Sequence, residues 1–199
     1  MIFSLKNKLT KISVLLMAVT APFAANASNH TQQVSEMYDF PFMQNMYNSS
    51  VTLVRKRNDL KAIVSATGLD ANAAYTAWWT LFNNPDKCYN GPGKCSVYDL
   101  WNEDAMPTSF YATGFVTGND GVANVTIELS AGRPAEGSDV MFPGGLKRGN
   151  GMKAEVQVIL RTHGAVIPGR LGEQTTTYMG GCDVNSCAET QMASFPPMN

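Results

Sequence analysis

Charge is scarce in this chain. Only 16% of its 199 residues are charged, 15 basic against 16 acidic, where an average soluble domain carries roughly 25%. So low a charge excludes a disordered polyelectrolyte, and the balance excludes a basic nucleic-acid binder. Histidine is scarcer still, with two residues, His30 and His163. A serine-nucleophile triad would have His163 as its one plausible base, and no Gly-x-Ser-x-Gly elbow accompanies it. Phosphate loops are missing too. Gly144-Gly145 and Gly149-x-Gly151 precede neither a helix start nor a Gly-Lys-Ser/Thr. Helical periodicity is almost absent. What remains is a chain 44% hydrophobic with 17 Gly and 10 Pro, enough for one domain with a real core.

Residues 1–27 read as a signal peptide. Lys6, Lys8 and Lys11 precede an apolar stretch from Ile12 to Val19, and Ala25-Asn26-Ala27 makes a small-x-small cleavage site. That stretch is too short for a stop-transfer helix, and no later apolar run approaches the length of a span. The residue directly after the cleavage point is Ser28 and not a cysteine, which argues against a lipoprotein. The expectation is an exported protein, periplasmic or extracellular, with no membrane insertion after cleavage. Loss of the three lysines leaves a mildly acidic remainder, a poor match for anionic membranes or nucleic acid.

Cys88, Cys95, Cys182 and Cys187 are an even set in an exported chain, so disulfides are expected. Three pairings are open. The local ones, Cys88–Cys95 and Cys182–Cys187, are favoured because each pair flanks turn-forming residues. A four-thiolate zinc site usually spaces its pairs by two to four residues, and the first pair here has six between them.

The mature sequence reads as β-strands. Val51–Arg55, Leu60–Ala66 and Tyr75–Phe82 are separated by turn clusters. Ser109–Thr117 and Val122–Ser130 flank Gly118-Asn119-Asp120-Gly121, a hairpin signal. Ala123, Val125, Ile127 and Leu129 fall on one face. Lys153–His163 places Ala154, Val156, Val158, Leu160 and Thr162 inward, and Glu155, Gln157, Arg161 and His163 outward. A short helical turn is expected at Asn185–Met192. Residues 28–48 lack a period and read as a mobile or helical arm. The fold class is therefore all-β, an antiparallel immunoglobulin-like sandwich of about seven to nine strands over residues 49–199.

Three pieces carry a resemblance: Leu69 with Ala74–Pro85, which includes Tyr75-Thr76-Ala77-Trp78-Trp79; Ala154–Gly164, ending Arg161-Thr162-His163-Gly164; and Gly180-Gly181-Cys182 before Cys187. They resemble segments of secreted bacterial proteins and, in arrangement, the chordin-type (CHRD) β-sandwich domain, over about residues 50–195. The resemblance implies the sandwich fold and no activity. The histidine-rich strand of chordin-type domains is reduced here to His163 alone.

Two constellations stand out as binding candidates. Arg161 and His163 share a strand face, with Arg170 and Glu173 shortly after. Trp78 and Trp79 fall on opposite faces, and Trp78 with Trp101 offers a stacking surface. The ligand classes these imply are a carbohydrate or a protein, with no cofactor and no metal. The rival reading is a hydrolase or metal-binding enzyme centred on His163 with Glu155 or Glu173. Met37, Met43 and Met46 have a spacing that suits Cu(I), although apolar packing explains them more simply. The resemblance implies a bacterial host, in which the sequons at Asn29, Asn48 and Asn124 carry no weight.

Overall fold

The computed structural model describes residues 30–40, 43–133, 140–182 and 187–198. The signal-peptide assignment lies outside them. Nine strands follow in order: β1 (His30–Asp39), β2 (Gln44–Lys56), β3 (Asp59–Ala66), β4 (Ala73–Phe82), β5 (Pro107–Val116), β6 (Ala123–Ser130), β7 (Val140–Phe142), β8 (Glu155–Ala165) and β9 (Ala188–Phe195). One short helix, α1 (Leu171–Thr176), and three 3-10 turns between Pro85 and Ala105 complete the elements.

All ladders are antiparallel, and together they make one sheet in the order β6-β3-β2-β1-β9-β8-β4-β5-β7. The sheet curls into a half-barrel. Its two halves face each other across a single core, with Leu53, Val64 and Ile127 on one side and Trp79, Phe110 and Val158 on the other. All-β architecture is thus as expected, but the two sheets are one. The join is narrow: β1 and β9 pair over Tyr38↔Met192 and Asp39↔Gln191.

The strand parities hold. Val156, Val158 and Leu160 are fully buried in the core, and β6 alternates with Asn124, Thr126 and Glu128 exposed. Three expectations need correction. Residues 30–39 are not an arm; they form β1, inside the sheet between β2 and β9. Their polar run hid them, because the strand is held mainly by its backbone ladder to β2 and needs few apolar side chains. The helical turn expected at Asn185–Met192 begins outside the described residues, and its described part is not helical: from Ala188 the chain is β9, whose Ala193 and Phe195 enter the core.

The Gly118–Gly121 turn makes no hairpin either. β5 pairs with β4 and β7, and β6 with β3. The turn instead carries the chain from one half to the other, bound to the β3–β4 connection by Leu69 N–H to Gly121 O at 3.1 Å and Asn72 N–H to Gly118 O at 3.2 Å. Gly121 has φ +61°, and a Cβ there would sit 2.1 Å from Leu69 O, so glycine is demanded by the close approach as well as by the backbone.

Arg55 closes one end of the curled sheet. It continues the inward parity of Val51 and Leu53 and is fully buried. Its five N–H groups donate to Gln33 Oε1 and to the carbonyls of Gly151, Ala154, Phe195 and Pro196. Burial brings its pKa down to about 10, partly opposed by Glu155.

Candidate functional site

The outward face of β8 is not a solvent face. Glu155, Gln157, Arg161 and His163 are all buried, as is every residue of β4. Two covers lie over this second face: the cysteine loop, residues 83–106, and the segment running from α1 through Cys182. Between the covers a groove of about 490 Å3 stays open, within the range of ligand pockets.

Cross-strand register orders this covered face in rows, most of whose members line the groove. Ser109, Thr80 and Gln157 are register partners across β5, β4 and β8. Two residues along, Tyr111, Trp78, Ile159 and Met192 form an apolar row that continues into β9. Two further along, Thr76 and Arg161 face Glu189. Phe40 and Met43 of the β1–β2 turn, Met141, and Val97, Leu100 and Trp101 of the cysteine loop form the walls. Trp101 is 70% exposed, and Met43 and Met141 are exposed as well. Trp101 stands edge-on to Phe142, with ring centroids 5.6 Å apart.

The polar groups of the floor differ in how fully they are engaged. Thr80 Oγ1 and Ser109 Oγ bond each other at 2.9 Å, so one hydroxyl proton of the pair is left to donate. Gln157 Nε2 donates to Cys95 O at 2.9 Å, its one side-chain hydrogen bond among the described residues. Arg161 is committed. It pairs with Glu189 at 2.6 Å, donates to Tyr178 O at 2.8 Å, and stacks 3.9 Å from the Tyr178 ring centroid. The Tyr178 hydroxyl donates to Glu189. Burial, reinforced by that hydrogen bond and the carboxylate's charge, pushes the phenol up to about 12. The Arg161–Glu189 pair therefore closes one side of the groove with no net charge.

His163 lies behind this wall, 1% exposed. Its Nδ1 is 2.9 Å from Gly180 O and its Nε2 is 3.0 Å from Thr76 Oγ1. A carbonyl only accepts, so Nδ1 carries the proton. Thr76 then accepts from Trp78 Nε1 at 2.8 Å and donates to Nε2. Burial lowers the imidazole pKa, with Arg161 adding to the shift and the Gly180 bond opposing it. A neutral, doubly bonded ring is a positioned structural group.

The sequence candidates separate accordingly. Trp78, Trp101 and Arg161 meet at the groove. His163 sits beneath it. Arg170, just before α1, and Glu173 of α1 pair with each other at 2.9 Å, both half-exposed, and do not line the groove. Neither proposed carboxylate bonds His163. Glu155 is eight residues away along β8, about 26 Å at strand rise. It accepts from the backbone N–H groups of Gly93 and Cys95 at 2.6 and 3.0 Å, and burial raises its pKa. It anchors the cysteine loop.

Cys88 and Cys95 form a disulfide with Cα atoms 5.3 Å apart, and Cys182 and Cys187 a second with 5.6 Å, so the local pairing stands. Met37, Met43 and Met46 do not converge: Met37 is in the core, Met46 packs beside Gly68, and Met43 is on the groove rim. Sequence reading missed Thr80, Ser109, Gln157, Glu189 and the methionine rim. The available signal was the mostly polar outward set of β8 opposite a mostly apolar face.

A second, more open hollow of about 360 Å3 lies over β3 and β6, where the flanking charges Lys61 and Glu128 already pair at 3.0 Å. No helix among the described residues is long and apolar enough to cross a membrane. Comparison with family models, curated proteins and solved structures finds no match.

Proposed function

We propose that this chain is an exported, non-catalytic binding module whose groove takes an uncharged, predominantly apolar segment of another protein. One observation carries the reading: a 490 Å3 groove with exposed Trp101, Met43 and Met141 at its rim and a floor of buried hydrogen-bonding groups. Methionine and aromatic side chains form surfaces that adapt to varied apolar partners. The Thr80–Ser109 pair and Gln157 supply the few polar contacts that fix orientation. Mutual neutralisation of Arg161 and Glu189 disfavours a charged ligand. Export rests on the leader-like first 27 residues and the two disulfides. The chordin-type resemblance belongs to this proposal. What supports it is the two facing halves around one core, joined here through β1 and β9. The rival enzyme on His163 gains nothing from a ring whose two nitrogens are both engaged.

The test is displacement of Nile red by uncharged peptides rich in Leu, Met and Phe, and separately by neutral oligosaccharides. The expected result is peptide competition, weakened about tenfold or more by Trp101→Ala, the scale of an aromatic anchor, with an unchanged melting temperature. Competition by the oligosaccharides alone would replace the peptide with a sugar. Absence of any dye binding would remove the groove as a site.

A further inference from the structure

The strongest unassigned cluster lies beneath the groove. His163 Nδ1, Cys182 Sγ and Cys187 Sγ all fall within 4.8 Å of one another. The imidazole nitrogen is 3.5 Å from the first sulfur and 3.3 Å from the second. We propose that reduction of the Cys182–Cys187 disulfide opens a three-coordinate site for a soft monovalent cation, Cu(I), held by His163 Nδ1 and the two thiolates.

The donor set argues for that ion. Two thiolates and an imidazole make a soft, three-ligand environment, which suits Cu(I); structural zinc asks for a fourth protein ligand. The spacing fits as well. Metal–thiolate bonds of about 2.3 Å in a trigonal arrangement put the ligand atoms about 4 Å apart. The nitrogen–sulfur distances are already close to this, so only the two sulfurs must part once their bond is broken. The support behind the histidine is also present. A ligating imidazole donates its other N–H to a fixed acceptor, and Thr76 Oγ1 stands 3.0 Å from Nε2.

The chemistry balances with a dithiol as reductant. Two electrons and two protons pass from the dithiol to the protein disulfide, leaving two cysteine thiols and an oxidised dithiol. Cu(I) then displaces both thiol protons. The imidazole proton moves from Nδ1 to Nε2, giving up the Gly180 carbonyl and donating to Thr76. Cys88 and Cys95 are each 6% exposed in their own apolar cluster, while Cys182 and Cys187 are half-buried. Mild reductant therefore reaches the second pair first.

The full mature protein, oxidised or mildly reduced with dithiothreitol, is titrated with Cu(I) against bicinchoninate. The expected result is one tightly held Cu(I) in the reduced form, with sulfur-to-copper charge-transfer absorption in the ultraviolet, and none in the oxidised form. The Cys182→Ser/Cys187→Ser double variant loses the tight site. Thr76→Val weakens it about tenfold, the usual scale for a hydrogen-bond partner behind a ligand. Uptake equal in the double cysteine variant, or in a folded His163→Gln variant, would overturn the proposal. So would Zn(II) held in preference to copper. If His163→Gln fails to fold, the Thr76→Val and cysteine variants decide. None of these readouts depends on whether the groove binds a peptide.

Discussion

Arg55 shows how one residue governs a region that its sequence context conceals. It follows Val51 and Leu53 in inward parity, and a strand-end arginine is ordinarily read as solvated. Here its guanidinium ties β2 to β1, to the 151–154 loop and to the end of β9. Arg55→Met leaves four backbone carbonyls without a donor and should cost about 3 kcal/mol in urea unfolding. Arg55→Lys should recover only part of that, because an ammonium lacks the planar fork. His163 makes the companion case. Burial holds its folded pKa below the ordinary 6.5, so the unfolded chain binds more protons as the pH falls past that value. Stability is then complete above about 6.5 and declines below it, toward the lowered folded pKa. The urea midpoint should drop between pH 7.5 and pH 5, and His163→Gln should flatten that limb. An equal drop in the variant would assign the acid sensitivity to other groups.

At the scale of elements, β8 was the most legible segment and also the most incompletely read. Alternation identified its core face, and Val158, fully buried between Trp79 and Ala193 in register, should not tolerate Asp. Val158→Asp buries an unpaired charge and should leave no cooperative melting transition in circular dichroism. Alternation could not show that the opposite face is covered too. That cover comes from the cysteine loop, whose position depends on Glu155 accepting from Gly93 and Cys95, contacts made some 60 residues apart in sequence. Pairwise long-range contacts of this kind leave no periodic trace. The loop also supplies Val97, Leu100 and Trp101 to the groove. Cys88→Ala/Cys95→Ala should therefore lower stability by about 2 kcal/mol, the scale of a small closed loop. It should weaken Nile red binding by more than that loss explains, because the wall loses its shape. Dye affinity unchanged in the folded variant would mean the wall is held by the Glu155 contacts without the disulfide.

For the molecule as a whole, β1 decides whether the two halves form one unit. It pairs with β2 from His30↔Lys56 to Asp39↔Gln44, with a bulge between Glu36 and Met37, and meets β9 through only two residue pairs. The opposing halves are otherwise connected by shared core contacts and by the turns at their ends. The expected pair of sheets is instead one sheet, and a two-residue ladder is all that makes it continuous. Polar composition concealed β1, since Thr31, Gln32, Gln33, Ser35 and Glu36 contribute mainly backbone hydrogen bonds, and only Met37 is fully buried in the core. Its removal would nonetheless expose the inner edges of β2 and β9 in the middle of the sheet, take the Gln33 acceptor from Arg55, and strip Phe40 from the groove wall. A mature chain starting at Met43 should thus fail to fold cooperatively and should aggregate through its open edges. A synthetic peptide of residues 28–42 added during refolding should restore the native melting transition by strand addition. A shortened chain that melts like the parent without the peptide would make residues 30–39 a dispensable arm, and the half-barrel would then stand on the core of its two halves alone.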